Sequence, residues 1–320
     1  MRSLSASKTV TLDSDLLERA AYEAHRLAAT TLPQDVREAF VAMREREVNP
    51  LPKRVMQAIV QNYEVAEEDQ RPVCADVGVS RMYAVVGNDI AVEGGFVQLE
   101  RAVRKATARI TQDLALRSNR CHPLTRVNPG TNVGLFAPNI EYRFEPDANW
   151  LELIAVHKGG AFGSDFRMLV DGDGIDGIRK GVLDAVAEFG RRGLTCPPVI
   201  MGVGVGGNKD QAFAIAKQAA QLRPIGDRHP DPEVARLEDE LFEMVNSLGI
   251  GAMGYVGTGG YAADVHVEIA YTHSALTPLG IHQLCQAARR GVVRVYEDGR
   301  LEPRATPTWF TPYYRRLGIE

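Results

Sequence analysis

PPVIMGVGVGGNKDQAFAIAKQAAQL, residues 197–222, decides the fold class. Val199, Ile200 and Met201 begin a short apolar run that reads as a buried strand. The run ends in glycines at Gly206 and Gly207, and KDQAFAIAKQAAQL then follows a helical period. A strand that turns through glycine straight into a helix is the building unit of an α/β chain. The same turn literally matches GxGxxG through Gly202, Gly204 and Gly207, which leaves three readings open. It is a dinucleotide-binding turn of a Rossmann-type NAD(P)-dependent oxidoreductase, or a corner whose glycines only let strand and helix close, or a loop whose backbone N–H groups meet another anion at a helix N-terminus. Against the first, the unit comes late in the chain. The acid expected about 20 residues further on would be Asp227, in the RPIGDR loop rather than at a strand end.

Working outward, the C-terminal direction holds VHVEIAY, which alternates in period two. GVVRVYEDGRLEPRA reads as a hairpin turning at Asp298-Gly299. The tail PTWFTPYYRRLGIE either covers an edge or a partner, or packs back on its own domain. Toward the N-terminus, FRMLV, WLELIAVH and MYAVVG read as strands. GIDGIRKGVLDAVAEFG and a segment within EGGFVQLERAVRKATARITQDLAL read as helices. Before residue 71 the texture is helical. Ser14 is a candidate N-cap with Glu18 near the capping-box position, Pro33 opens a second helix, and KRVMQAIVQNYEVAEED reads as a third. The expectation is an α/β chain of mixed α+β character. A helical N-terminal segment, residues 1–70, precedes an α/β region, residues 71–320, of mixed sheets flanked by helices, within one large domain overall. RPIGDRHPDPEV, residues 223–234, is the best internal loop.

The 320 residues carry a formal net charge of −4, with 45% apolar and 24% charged residues. That balance predicts no general affinity for nucleic acid or anionic membrane. The opening MRSLSASKTVTLDSD lacks the apolar core of a secretory signal, and no apolar run is long enough to span a bilayer. A cytoplasmic protein is expected.

Four cysteines are spread through the chain: Cys74, Cys121, Cys196 and Cys285. In a reducing compartment a disulfide framework is not expected, and no CxxC pair suggests a zinc site. The plain reading is four buried thiols behaving as small hydrophobes. Three of them sit at junctions instead. Cys74 precedes Asp76-Val77-Gly78 in a tight turn. Cys196 stands before Pro197, as cysteines do in some iron–sulfur runs. Cys285 follows the polar stretch YTHSALTPLGIHQL and enters QAARR, read as the start of a helix whose N-terminus would favour a thiolate. Cys121, between Arg120 and His122, reads as a ligand, a residue supporting a ligand, or a tolerated small side chain, the last being favoured.

The blocks CADVG, LRSNRCHPLTRVNPGTNVG, HKGG, DGIDGIRKGVLDAV, TCPPVIMGVGVGG and THSALTPLGIHQLC occur in this order. Together they resemble the iron–sulfur hydro-lyase family, which comprises class I fumarases and the α subunit of L-tartrate dehydratase. The likeness runs from about residue 15 to about residue 300. It implies a [4Fe–4S] cluster held by three cysteines, carried over by block to Cys74, Cys196 and Cys285. It also implies a small hydroxy-dicarboxylate substrate, with Arg117 binding a carboxylate, Lys158, Gly159 and Gly160 lining the substrate loop, and Asp76 and His273 as catalytic candidates. Read without the family, Asp76 is also a turn-former, Arg117 a surface or ion-pair arginine, and His273 a satisfied buried histidine. Departures are present: Ala75 and Val77 replace the family's glutamine and threonine, and Phe162 makes the KGGAFGSD block bulkier. These imply an altered pocket. The chain ends before the further domain of single-chain relatives. The resemblance therefore implies a separate β subunit and paired α chains in an α2β2 assembly, or else a non-catalytic cluster-binding relative.

Overall fold

Asp13, rather than Ser14, caps the first helix: its Oδ1 accepts the Leu16 N–H at 2.7 Å, satisfying one of the amides a helix start leaves open. The computed structural model describes residues 9–74, 76, 80–146, 148–158, 163–287 and 289–319. In chain order its elements are β1 (Val10–Leu12), α1 (Ser14–Thr30), α2 (Gln34–Arg46), α3 (Pro50–Glu68), β2 (Arg81–Gly87), β3 (Ile90–Val92) and α4 (Val97–Asp113). Then come β4 (Asn139–Glu145), β5 (Leu151–His157), β6 (Ser164–Val170), α5 (Gly174–Arg192), β7 (Val199–Gly206), α6 (Lys209–Leu222) and α7 (Pro232–Asn246). The last are β8 (Ala262–Ala270), β9 (Leu276–Leu284), β10 (Arg289–Val295), β11 (Leu301–Arg304) and α8 (Thr311–Leu317). The fold is mixed α/β.

Two compact units divide these elements, residues 1–32, 66–160 and 289–318 against residues 33–65, 161–288 and 319–320. The helices of the first seventy residues are shared between them: α1 belongs to the first unit, α2 and most of α3 to the second.

The first unit is built on a five-stranded sheet of order β11-β10-β5-β2-β4 and a parallel pair, β1-β3. Only β2 and β4 run parallel within the larger sheet. On one of its faces lie α1 and α4, and the core joins Leu17, Ala21, Ala24, Val103 and Ala106 to Met82, Ala84, Leu153 and Val293. Alanine along the buried face of α1 brings its backbone close to the sheet. At Gly291, in β10, a Cβ would stand 2.1 Å from the Ala24 carbonyl oxygen. The aromatic tail packs back on this unit, with Trp309 buried at 4.8 Å from Tyr83 and the Arg143 guanidinium 4.5 Å from its ring.

The second unit holds a four-stranded sheet of order β6-β9-β7-β8, with β7 parallel to β8 and antiparallel to β9. Its core gathers Val182, Val186 and Phe189 of α5, Leu241 and Val245 of α7, and Val203, Val265, Val267 and Ile281 of the sheet. QAARR does not begin a helix. Residues 286–287 form a turn after β9, and β10 starts at Arg289. The run GVVRVY that follows Arg290 is β-branched, and pairing with β5 draws Arg289 and Arg290 into the strand.

Candidate active site

In the first unit, strand directions bring one sheet end together. The register sets Arg81 opposite Val156, and Arg289 and Arg290 opposite His157 and Val156. Ser80 and Arg81 at the start of β2, His157 and Lys158 at the end of β5, and Arg289 and Arg290 at the start of β10 therefore share that end. Cys74 and Asp76 lie in the segment leading into β2 there. Val73 ahead of them is fixed by its N–H to the Ala29 carbonyl at 3.2 Å. Cys74 is half-buried.

This end is rich in cations. Arg289 is 2% exposed and donates its Nε–H to the Ala28 carbonyl at 2.9 Å, while Nη1 and Nη2 have no hydrogen-bond partner among the described residues. Burial, and then the nearby charge of Arg81, lower the pKa of Arg120. Arg81 itself is paired with Glu141. A buried guanidinium with unmade hydrogen bonds is costly, and buried cations of this kind recur where anions are handled.

Arg117, two residues before Asn119, exposes its side chain at the edge of a loop that follows α4. Asn119 Nδ2 donates to Asp76 Oδ1 at 2.8 Å, so the structure joins the Arg117 block to Asp76. Gly159, Gly160, Phe162, Ala75 and Val77 lie outside the described residues.

In the second unit, Ser164 opposite His282, Ile200 opposite Leu284 and Val199 opposite Ala262 define one sheet end. Cys196 precedes β7 and Cys285 follows β9 at this end. The Gln286 N–H donates to the Cys196 carbonyl at 2.8 Å, which ties the two cysteine segments directly. Gln283 is fully buried beside them. Its Oε1 accepts from Tyr261 Oη at 2.7 Å and its Nε2 has no partner among the described residues. Gln286 Oε1 is likewise buried without a partner among the described residues.

His273 is not brought to Cys196 and Cys285. β9 is a strand of nine residues between His273 and Cys285, so His273 stands roughly 25–30 Å away at the other end of the sheet. It is exposed, and its Nδ1 accepts the Ala275 N–H at 3.2 Å.

The GVGVGG turn shares that far end, where Thr272 Oγ1 donates to the Gly207 carbonyl. Its first two glycines are packing positions. A Cβ on Gly202 or Gly204 would lie 2.0 Å from the carbonyl of Ala216 or Ala212 in α6.

Among the described residues no group of three or more His, Cys, Asp and Glu side chains is gathered around a common metal position. The donor chemistry nevertheless fits an iron–sulfur cluster. None of the four cysteines is in a disulfide, and all four are partly exposed. Cys74 sits in the connection between α3 and β2, Cys196 and Cys285 sit at strand ends, and two buried amide atoms without a partner among the described residues flank Cys285 in sequence. Buried polar groups without partners are the exception in folded proteins, and an ionic group beside them is one of the explanations. Sequence reading missed Gln283, Asn119, Asn132 and Arg289. The first three sit inside quoted motifs without a spacing of their own, and Arg289 was read as helical.

Comparison with known proteins shows an enzyme of the fumarate hydratase type. The family model described as "Fumarate hydratase (Fumerase)" matches residues 18–294, and the chain belongs to that family; it is a hydro-lyase. It is 41% identical over 282 residues to "Putative L(+)-tartrate dehydratase subunit alpha" of Methanocaldococcus jannaschii, covering 87% of this chain and 97% of that one. The "L(+)-tartrate dehydratase subunit alpha" of Escherichia coli is 30% identical over 274 residues, 85% of this chain and 88% of its own. Its namesake in Shigella sonnei is 29% identical with the same coverage. No described helix is long and apolar enough to cross a membrane.

Proposed function

We propose that this chain is the cluster-bearing α subunit of a two-subunit hydro-lyase that reversibly dehydrates a small hydroxy-dicarboxylic acid of the tartrate or malate kind. What supports the reading most is the 41% identity spanning 97% of a relative named as such a subunit. Cys74, Cys196 and Cys285 hold a [4Fe–4S] cluster. When bound, it supplies one iron free of protein ligands, a Lewis acid that makes hydroxide a workable leaving group.

The chain's own residues do the rest. Arg117 and Lys158 bind the substrate carboxylates through charge-assisted hydrogen bonds, with Gly159 and Gly160 lining the same loop. Asp76, held by Asn119, orients the substrate or carries a proton at its carboxyl oxygen. Loss of water takes a proton from one carbon and hydroxide from its neighbour, with no net electron transfer. The base for that proton belongs mainly to a separate β subunit, in an α2β2 assembly. His273, a strand's length from Cys285, has no part in this chain's own cluster site. Four cysteines outside any disulfide suit a reducing cytoplasm, where we place the protein.

The test is anaerobic iron and sulfide analysis of the α chain co-expressed with its β partner. Cys74→Ser, Cys196→Ser and Cys285→Ser should each lose most of the iron. Cys121→Ser should keep it. Iron retained by all three of the first group, or turnover that depends on a nicotinamide, overturns the assignment.

A further inference from the structure

The loop after α4 is pinned by one buried side chain. Asn132 is 5% exposed and held at φ +58°, a conformation that asparagine tolerates better than most non-glycine residues and that costs energy to maintain. Its Nδ2 donates to the Arg117 carbonyl at 3.1 Å and to Thr111 Oγ1 at 3.2 Å. The Thr111 hydroxyl spends its own proton on the Thr107 carbonyl at 2.7 Å, so its oxygen is free to accept. Asn132 Oδ1 accepts the Asn119 N–H at 2.7 Å. Asn119 Nδ2 then reaches Asp76 Oδ1 at 2.8 Å. Helix α4, Asn132, Asn119 and Asp76 thus form one unbroken hydrogen-bonded line, with Arg117 attached at its middle.

Loop backbones are the mobile part of a fold, and a binding group misplaced by about 1 Å loses much of its effect. We propose that Asn132 and Asn119 are positioning residues with separable tasks. Asn132 fixes the backbone from which the exposed Arg117 side chain projects. Asn119 fixes the carboxyl of Asp76. This rests on the reading of Arg117 and Asp76 as substrate groups, and it predicts different kinetic signatures for two residues that touch each other.

The experiment uses the cluster-loaded α–β complex and measures KM, kcat, iron content and the calorimetric affinity for succinate, a dicarboxylate with no hydroxyl to lose. Asn132→Asp keeps a residue that accepts positive φ but removes both Nδ2 donors. It should raise KM and the succinate Kd about tenfold, the size of one or two lost hydrogen bonds, with kcat nearly unchanged. Asn119→Ala should lower kcat about tenfold or more and leave succinate binding alone. Iron content should match wild type in both.

Asn132→Gly relieves the backbone and also lacks the side chain, so it carries the test if the aspartate variant does not fold. Folded variants with kinetic and binding constants within about twofold of wild type overturn the proposal. So does a loss confined to thermal stability, or failure of both Asn132 variants to fold, because either makes Asn132 a structural pin only. If the wild-type complex turns over no hydroxy acid, it is the functional reading that fails, and the succinate affinities still decide the positioning claim.

Discussion

A histidine pair buried against an arginine sets the acid limit of the first unit. The Thr107 hydroxyl donates to the Val103 carbonyl at 2.8 Å, so its oxygen accepts from His25 Nε2–H at 3.0 Å. His25 Nδ1 is then a bare acceptor for His157 Nε2–H at 2.9 Å, which leaves the second nitrogen of His157 unprotonated as well. Burial lowers the His25 pKa from 6.5 to about 4. Burial, then the charges of His25 and Arg289, push His157 well below its ordinary value. Well above pH 6.5 both rings are neutral in the folded and the unfolded chain, and they add no pH dependence to stability. Between pH 6.5 and about 4 the unfolded chain takes up the proton at His25 and the folded chain does not, so stability falls as pH falls. His25 alone accounts for on the order of 3 kcal/mol across that window. In the second unit burial likewise lowers His229 to about 4, in the same direction. Urea unfolding at pH 7.5, 5.5 and 4.5 should show this slope. His25→Gln, which can keep hydrogen bonds at both ends but cannot titrate, should flatten it. An unchanged slope in that variant would place the acid sensitivity elsewhere.

At the scale of elements, the contact between β7 and α6 is made by absence of side chains. The Cβ positions on Gly202 and Gly204 are already occupied by helix backbone. Gly202→Ala and Gly204→Ala must therefore push α6 off the strand, and each should cost about 1–3 kcal/mol, the range for overpacking a core. Chemical denaturation measures it, and a fluorescence titration with NADH should show no binding before or after. Elements of this kind were legible: KDQAFAIAKQAAQL coincides with α6, and the strands at MYAVVG, WLELIAVH and FRMLV all form. What local pattern misled on was cap and junction chemistry. Asp13 outbid Ser14 at the first cap because its carboxylate reaches the Leu16 amide. Pairing with β5 made QAARR the entry to a strand. The stretch SALTPLGIHQL, read as a polar loop, is instead nearly all β9. A polar-looking sequence with few long apolar residues still pairs on both sides, and it carries His273 away from Cys285.

At the scale of the whole molecule, the interleaving of the two units was beyond a local reading. Each is assembled from separate stretches of chain, and nothing in a window of ten residues encodes which distant strand it will join. The candidate ligands fall on both, Cys74 on the first and Cys196 and Cys285 on the second, and it is motif order rather than spacing that proposes them. A dicarboxylate dehydratase must neutralise two carboxylates, polarise a hydroxyl and accept a proton from carbon. Among the described residues, the acid proposed at the substrate is Asp76, and its Oδ1 is already engaged by Asn119. Relatives that carry the name of one subunit support the proposal that a further proton acceptor comes from a partner chain. The cluster-loaded chain alone should keep its iron yet turn over tartrate or malate at least about 100-fold more slowly than the α–β complex, since a positioned base contributes about 10²–10⁴-fold. Anaerobic assays with and without the added β chain read this directly. Full activity from the chain alone would mean that its own residues complete the site.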